Sequence, residues 1–209
     1  MNTPTDHRQE LSEKIIEYAM QQFYQRGVKA VKMDEISQGL HVSKRTVYEI
    51  FGDKEEMLLD GLHLWQSRLK ANLENFAHEG DHNVLDILAY YYHLEIERNH
   101  EISPIFLEDL PKYPRVIEYL EELHVEENSQ RLKFFAKGIE DGLFRNDVNY
   151  ELFTEIGHIA AEEIMKRQVY KDYSMKTIFD NYFMVIVRGI CTERGLSKLK
   201  EAMKANYNI

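Results

Sequence analysis

Apolar residues recur at helical spacing along nearly the whole chain. Leu11, Ile15, Ala19 and Phe23 stand four apart with Tyr18 and Gln22 beside them, which predicts an amphipathic helix over residues 8–26 that Gly27 stops. Ile36 and Leu40 share one face of a short second helix that starts near Met33 and ends at His41, with Glu35 placed to support its first turn. Val47, Ile50 and Phe51 form a buried stripe on a third helix, which Ser43 caps. Asp53 with Glu56 three residues on is an acidic cap that opens a long helix to about residue 79. Leu58, Leu62, Trp65, Leu69, Leu73 and Phe76 give that helix one continuous apolar face, shared with the first helices at one end and the later ones at the other, so it can transmit a change.

Gly80 to Asn83 break the pattern, and the next helix runs over about 84–99 with Tyr90, Tyr91 and Tyr92 in its middle. Pro104, Pro111 and Pro114 bracket a short helix over 105–110, because proline sits in first turns and ends what precedes it. A long helix over about 114–141 is ended by Gly142, followed by helices over 149–170 and 174–193 and a short polar one over 196–205. Residues 1–7 are polar and expected to fray. Within 174–193, Tyr182 to Val187 are six successive apolar residues, which cover every side of a helix. One side must bury against the chain itself and the other against something more. The preceding helix offers Gly157, Ala160, Ala161 and Ile164, whose small members permit close approach. The expectation is a homodimer through a four-helix interface that includes Ala161, Ile164, Tyr182, Val185 and Ile186; the alternative is a helix buried inside a monomer. No repeat, low-complexity tract or strand-like alternation is present. The expected fold is all-α, with a three-helix helix-turn-helix domain over 1–52 followed by a larger helical domain over 53–209.

The stretch from Asp34 to Lys54 carries the chemistry. His41 stands where a tight turn needs a residue that tolerates positive φ. On the third helix Lys44, Arg45 and Tyr48 face outward, away from the Val47–Phe51 stripe. Basic, exposed residues at the start of a helix pinned by a short preceding one are the geometry that enters a DNA major groove. An ordinary helical hairpin with a solvated charged face is the competing reading. Lys54 opens its helix against the macrodipole, and a DNA phosphate nearby would account for it.

Composition narrows the classes. With 209 residues and 44% hydrophobic content the chain can bury a real core, and its mean hydropathy of −0.51 reads as globular. The single cysteine, Cys191, excludes an internal disulfide and a multi-cysteine zinc site. The N-terminal MNTPTDHRQE has no apolar core of the signal-peptide kind, and Tyr182–Val187 is too short to span a bilayer, so a cytoplasmic protein without membrane partners is expected. A formal net charge of −10 argues against a nonspecific nucleic-acid coat. From Arg26 to Lys54, however, six basic residues face four acidic ones, a small specific footprint on an acidic body.

The same N-terminal stretch resembles the TetR/AcrR family of bacterial one-component transcription regulators. The family pattern appears here as Ile15, Ala19, Phe23 and Gly27, then Ile36-Ser37, Val42-Ser43, Tyr48, Phe51 and Lys54. Beyond it the likeness rests on length, helicity and a Gly-Leu-Phe-Arg turn at 142–145. Lys32 stands where the family often has Thr, which removes a helix cap and adds a cation; His41 and Arg45 stand where Gly is frequent; Ile50 replaces a His or Tyr that touches the DNA backbone. The resemblance implies an operator-binding dimer that senses a small molecule. Its DNA contacts fall on Lys32, Met33, Ser43, Lys44, Arg45, Thr46, Tyr48 and Lys54, and its inducer pocket on the aromatic and Met-rich middle, where Trp65, Tyr91, Phe106 and Phe134 are candidates.

Enzymatic signatures are absent. No Ser-His-Asp elbow, P-loop or dinucleotide glycine pattern occurs, and His158 with Glu162, four apart, is two groups and not a metal site. His78 and His82 bracket a helix end as capping or loop residues. No catalytic residue, cofactor or metal is expected. The reading is a ligand-responsive regulator, a repressor that binds an inverted-repeat DNA operator as a homodimer and is released by a small apolar effector. The alternative is a helical interaction protein whose helix-turn-helix no longer reads DNA specifically.

Overall fold

A computed structural model describes residues 4–206 as eleven α-helices. They are α1 (Pro4–Arg26), α2 (Met33–Gly39), α3 (Lys44–Ile50), α4 (Lys54–Glu79), α5 (Val84–Glu101), α6 (Pro104–Asp109), α7 (Pro114–Glu140), α8 (Tyr150–Lys166), α9 (Met175–Ile178), α10 (Met184–Ile190) and α11 (Glu193–Asn206). Among the described residues there is no strand, only an isolated antiparallel bridge between Phe144 and Cys191. None of these helices is long and apolar enough to cross a membrane.

Local signals set most boundaries. Ser43 Oγ accepts the Thr46 N–H at 3.0 Å, Asp53 Oδ1 accepts the Glu56 N–H at 2.8 Å, and Asn149 and Ser174 cap α8 and α9 in the same way. His41 takes φ +54° in the α2–α3 turn, as its type permits. Lys32 caps α2 without a side-chain hydrogen bond. Other bounds differ from expectation. Helix α1 starts at Pro4 and not at residue 8, proline being at home in a first turn; the remainder of the terminus expected to fray, residues 1–3, lies outside the described residues. Helix α8 stops at Lys166, where Gln168 turns left-handed at φ +56°. The helix expected over 174–193 is interrupted by a π-helical turn, Phe179–Phe183, between α9 and α10.

Two compact units result: Met1–Arg68 with Glu101–Glu122, and Leu69–His100 with Leu123–Ile209. In the first, Ile15, Ala19 and Phe23 of α1, Ile36 of α2, Val47 of α3 and Leu58 of α4 are fully buried. Phe106 of α6 meets Tyr24 edge-on at 5.0 Å. The second is built on Leu85 and Tyr92 of α5, Leu143 and Phe144 of the turn after α7, and Met184, Val187 and Ile190 of α10. There the Tyr92 hydroxyl donates to Asp180.

Tyr18 of α1 lies against Gly39 of α2, where a Cβ would lie 2.1 Å from the Tyr18 hydroxyl oxygen. Gly39→Ala should therefore cost about 1–3 kcal/mol of stability through overpacking. In a Tyr18→Ala background the same change should become neutral or stabilising, since alanine is the better helix former. Denaturant titration of the four variants checks this, and an equal cost in both backgrounds would assign the effect to something other than Tyr18.

Candidate DNA-binding surface

The start of α2 and the first turn of α3 expose Lys32, Lys44 and Arg45 to solvent, with Asp34, Glu35 and Glu49 beside them. Val47 and Phe51 bury the back of α3, while Ser43, Lys44, Arg45 and Tyr48 are exposed and Thr46 is half-buried. Lys44 is paired with Asp34 of α2, and Arg45 Nε lies 2.6 Å from Glu49 Oε1 one turn along. Such exposed pairs are worth a few tenths of a kcal/mol, so both cations can exchange partners at little cost. Lys32 is exposed at the uncapped start of α2. Met33 is buried, so its backbone amide and not its side chain is what it can offer a duplex. Arg8 of α1 donates to the Glu49 carbonyl at 3.1 Å, tying α1 to the end of α3.

Lys54 is placed differently from what its position in the helix suggests. Its Nζ donates to the carbonyls of Val28 at 2.8 Å, Lys29 at 3.2 Å and Val31 at 2.9 Å. The ammonium thus satisfies three carbonyls of the α1–α2 turn, which accounts for a lysine at a helix N-terminus without any phosphate. Partial burial lowers its pKa, against the opposing charges of Asp109 and Glu35. Asp109 holds the same turn through Oδ2, which accepts the Lys29 N–H at 2.8 Å, while Oδ1 accepts from Lys112 at 2.7 Å. Burial pushes the Asp109 carboxyl up, but the Lys112 ammonium and the Lys29 amide outweigh it and hold the pKa below the usual carboxylate range. Arg26 Nη2 pairs with Glu35 Oε2 at 2.7 Å across the turn.

In the second unit a cavity of about 730 Å³ lies among α5, α7, α8 and the α9–α10 segment. Of the residues expected to line a pocket, Tyr91 is in its wall. Phe134 packs instead beside Phe135 and Phe144, Phe106 packs against Tyr24 in the first unit, and Trp65 is half-buried on α4, also in the first unit. Burial raises the Tyr91 pKa, and the nearby Glu95 charge adds to it. Four residues expected at a dimer interface, Ala161, Ile164, Tyr182 and Ile186, stand in the same wall. The fifth, Val185, is 55% exposed, as are Leu152, Ile156 and Ile159 at 53–55% along α8.

Comparison with known proteins places this geometry. Residues 15–60 match the family described as bacterial regulatory proteins, tetR family. The transcriptional repressor KstR2 of Mycobacterium tuberculosis is 25% identical over 145 residues, which cover 66% of this chain and 72% of KstR2.

Residues 15–60 carry the pattern of the tetR family of bacterial regulatory proteins.

Solved structures agree in fold. KstR2 of Mycobacterium tuberculosis, described as a ketosteroid transcriptional regulator, aligns over 87% of this chain and 95% of its own, with TM-score 0.52 and 22% identity. FadR from Bacillus halodurans, described as a fatty acid degradation regulator, aligns over 82% and 87%, with TM-score 0.58 and 18% identity. A TetR-family regulator from Cytophaga hutchinsonii aligns over 90% and 98%, with TM-score 0.60 and 16% identity. The chain is similar to TetR-family transcriptional regulators, a repressor among them, and the matched residues 15–60 take in α2, α3 and Lys54. Arg8 and Asp109 lie outside that match, and no local spacing marks either one; each finds its partner across 41 and 80 residues of chain.

Lys54→Met should lower the stability of the first unit by about 1–3 kcal/mol in the absence of DNA, because buried carbonyls lose a charged donor. Urea unfolding checks this. Unchanged stability, together with a salt dependence of DNA binding reduced by about one phosphate, would return Lys54 to phosphate contact.

Proposed function

We propose that the chain is a TetR-family repressor that binds an inverted-repeat operator as a homodimer and is released when a small apolar effector enters the second unit. The observation that carries the DNA reading is α3 itself, with its back sealed by Val47 and Phe51 and its first turn holding exposed Lys44 and Arg45. Lys44, Tyr48, Lys32 and the hydroxyls of Ser43 and Thr46 are suited to phosphate, and Arg45 to a guanine edge. Lys54 serves the same surface by holding the turn before α2. In this reading residues 1–52 bind DNA and residues 53–209 sense and dimerise. Repression is supported by the similarity to the repressor KstR2, and an apolar effector by the cavity wall and by the descriptions of KstR2 and FadR. The protein acts in the cytoplasm, where the DNA is, and is not an enzyme.

Dimerisation is supported by α8 and α10. Leu152, Ile156 and Ile159 at i, i+4 and i+7 make an exposed apolar stripe, with exposed Gly157 and Ala161 among them and exposed Val185 on α10. A second copy laying the same face against it buries both. Val185→Glu should leave the isolated fold intact, because the side chain is exposed in the single chain, yet shift the protein to monomer in light scattering. An unchanged dimer mass would move the interface elsewhere.

Two-fold symmetry predicts footprints in pairs, with half-sites related as the two recognition helices are. Fragments of the source genome selected by the wild type should show this inverted repeat. Arg45→Ala should relax one base pair in each half-site, worth about 1–3 kcal/mol of discrimination, and barely change stability. Glu49→Ala should leave the preferred base unchanged. Identical rank order of selected sequences for Arg45→Ala would make the Arg45–Glu49 pair structural only.

A further inference from the structure

The cavity of the second unit has one polar end, and its composition is one-sided. Most of the wall is aliphatic or aromatic, from Phe153 and Met165 on α8 to Phe179 and Phe183 of the π-helical turn, and it continues into exposed Leu152 and Ile156, which belong also to the face proposed for the second copy. Such turns are concentrated at functional sites, where the extra residue per turn opens a helix face. Among the described residues no carboxylate lines the cavity, and Arg131 is the one side chain of its wall with a fixed charge. Beside it the rings of His124 and His158 stack 3.6 Å apart and nearly parallel. Arg131 Nη2 donates to the His124 carbonyl and lies 3.1 Å from His124 Nδ1. Its Nη1 lies 3.4 Å from Glu127 Oε2, and His158 Nε2 lies 3.4 Å from Glu162 Oε1, neither carboxylate being part of the wall. Arg131 Nε is buried and meets no acceptor among the described residues.

A guanidinium in an apolar wall keeps a large desolvation cost unless an anion faces it. A cationic ligand would meet Arg131 and find no carboxylate. A wholly neutral one without an acceptor would leave the buried Arg131 Nε unsatisfied, since Glu127 and the His124 carbonyl meet only Nη1 and Nη2. The volume of about 730 Å³ falls in the range of small-molecule sites. Burial lowers the His124 pKa, and the neighbouring His158 and Arg131 lower it further against Glu155 and Glu162, so the imidazole favours its neutral form and Arg131 is the fixed cation of this corner.

We propose that the molecule taken up by this cavity is an amphiphile with a single anionic group of the carboxylate class, its hydrocarbon body against the α8 and π-turn wall and its anion at Arg131, His124 and His158. This deepens the effector reading above and rests on it. The formal net charge of −10 repels anions from the surface at large, so a preference for an acid over the matching alcohol has to arise locally.

The test uses the full chain and two series of probes, octanoate, dodecanoate and hexadecanoate against octanol, dodecanol and hexadecanol, in titration calorimetry at neutral pH. At least one acid should bind about tenfold or more tightly than its alcohol, the size expected for a charge-assisted contact. Arg131→Gln should remove that preference while leaving alcohol affinity in place, and Arg131→Lys should keep part of it. Alcohols binding as tightly as acids, or an acid-to-alcohol ratio unchanged in Arg131→Gln, would overturn the proposal. Should Arg131→Gln fail to fold, the wild-type ratio decides alone. Absence of binding by every acid also overturns it, whereas release of operator DNA by other small molecules would then still uphold the effector reading.

Discussion

One short turn, residues 27–32, is the constraint on which the DNA-facing surface depends. It leaves α1 at Gly27, whose φ of +79° only glycine adopts freely, and it must deliver α2 at a fixed angle to α3. Two groups of opposite charge hold it. The Lys54 ammonium takes the carbonyls of Val28, Lys29 and Val31, and the Asp109 carboxylate takes the Lys29 amide. The turn is therefore fixed by the first residue of α4 and the last residue of α6, and a Cβ at Gly27 would lie 2.8 Å from Asp109 Oδ2. Any shift of either helix end is felt directly by the backbone that leads into α2.

The contrast with the reading surface is one of cost. Around the turn the polar groups are partly buried, and Asp109 is only 3% exposed, so losing one partner costs more there than at the surface. On α3 the Lys44–Asp34 and Arg45–Glu49 pairs stand in water, where an ion pair gains little over hydration. The chain is rigid where the helices must be positioned and loosely paired where side chains must meet another molecule. That arrangement reconciles an overall charge of −10 with nucleic-acid binding, since the carboxylates beside the cations hold them weakly.

Much of the fold was legible because its signals are local. The Ser43 and Asp53 caps, the positive φ of His41, and α4 from Lys54 to Glu79 are each written in a few adjacent residues. The all-round apolar run Tyr182–Val187 divided as its pattern requires, with Met184 and Val187 buried and Val185 exposed. What was not legible joins distant residues. Nothing near Asp109 points to Lys29, nothing near His124 points to His158, and the sequence around Lys54 suggested a phosphate where the structure has three carbonyls. Aromatic stripes carry the same ambiguity: Tyr91 reaches the cavity wall while Phe106 and Phe134 fill cores, although all three read alike as buried helical positions. The π-helical turn is equally silent, because Phe179–Phe183 carries Asp180 and Asn181 among its aromatics with no spacing that marks an inserted residue.

The central claim is that the α2–α3 surface reads DNA sequence and does not merely retain the shape of a reader. The direct measurement is a competition titration at ~150 mM salt, comparing a genome-selected operator with a scrambled duplex of equal length, conditions under which nonspecific contacts weaken steeply. A specific regulator should favour the operator by about a thousandfold or more. Equal affinity for the two duplexes would contradict the account and leave a helical interaction protein with a vestigial reader.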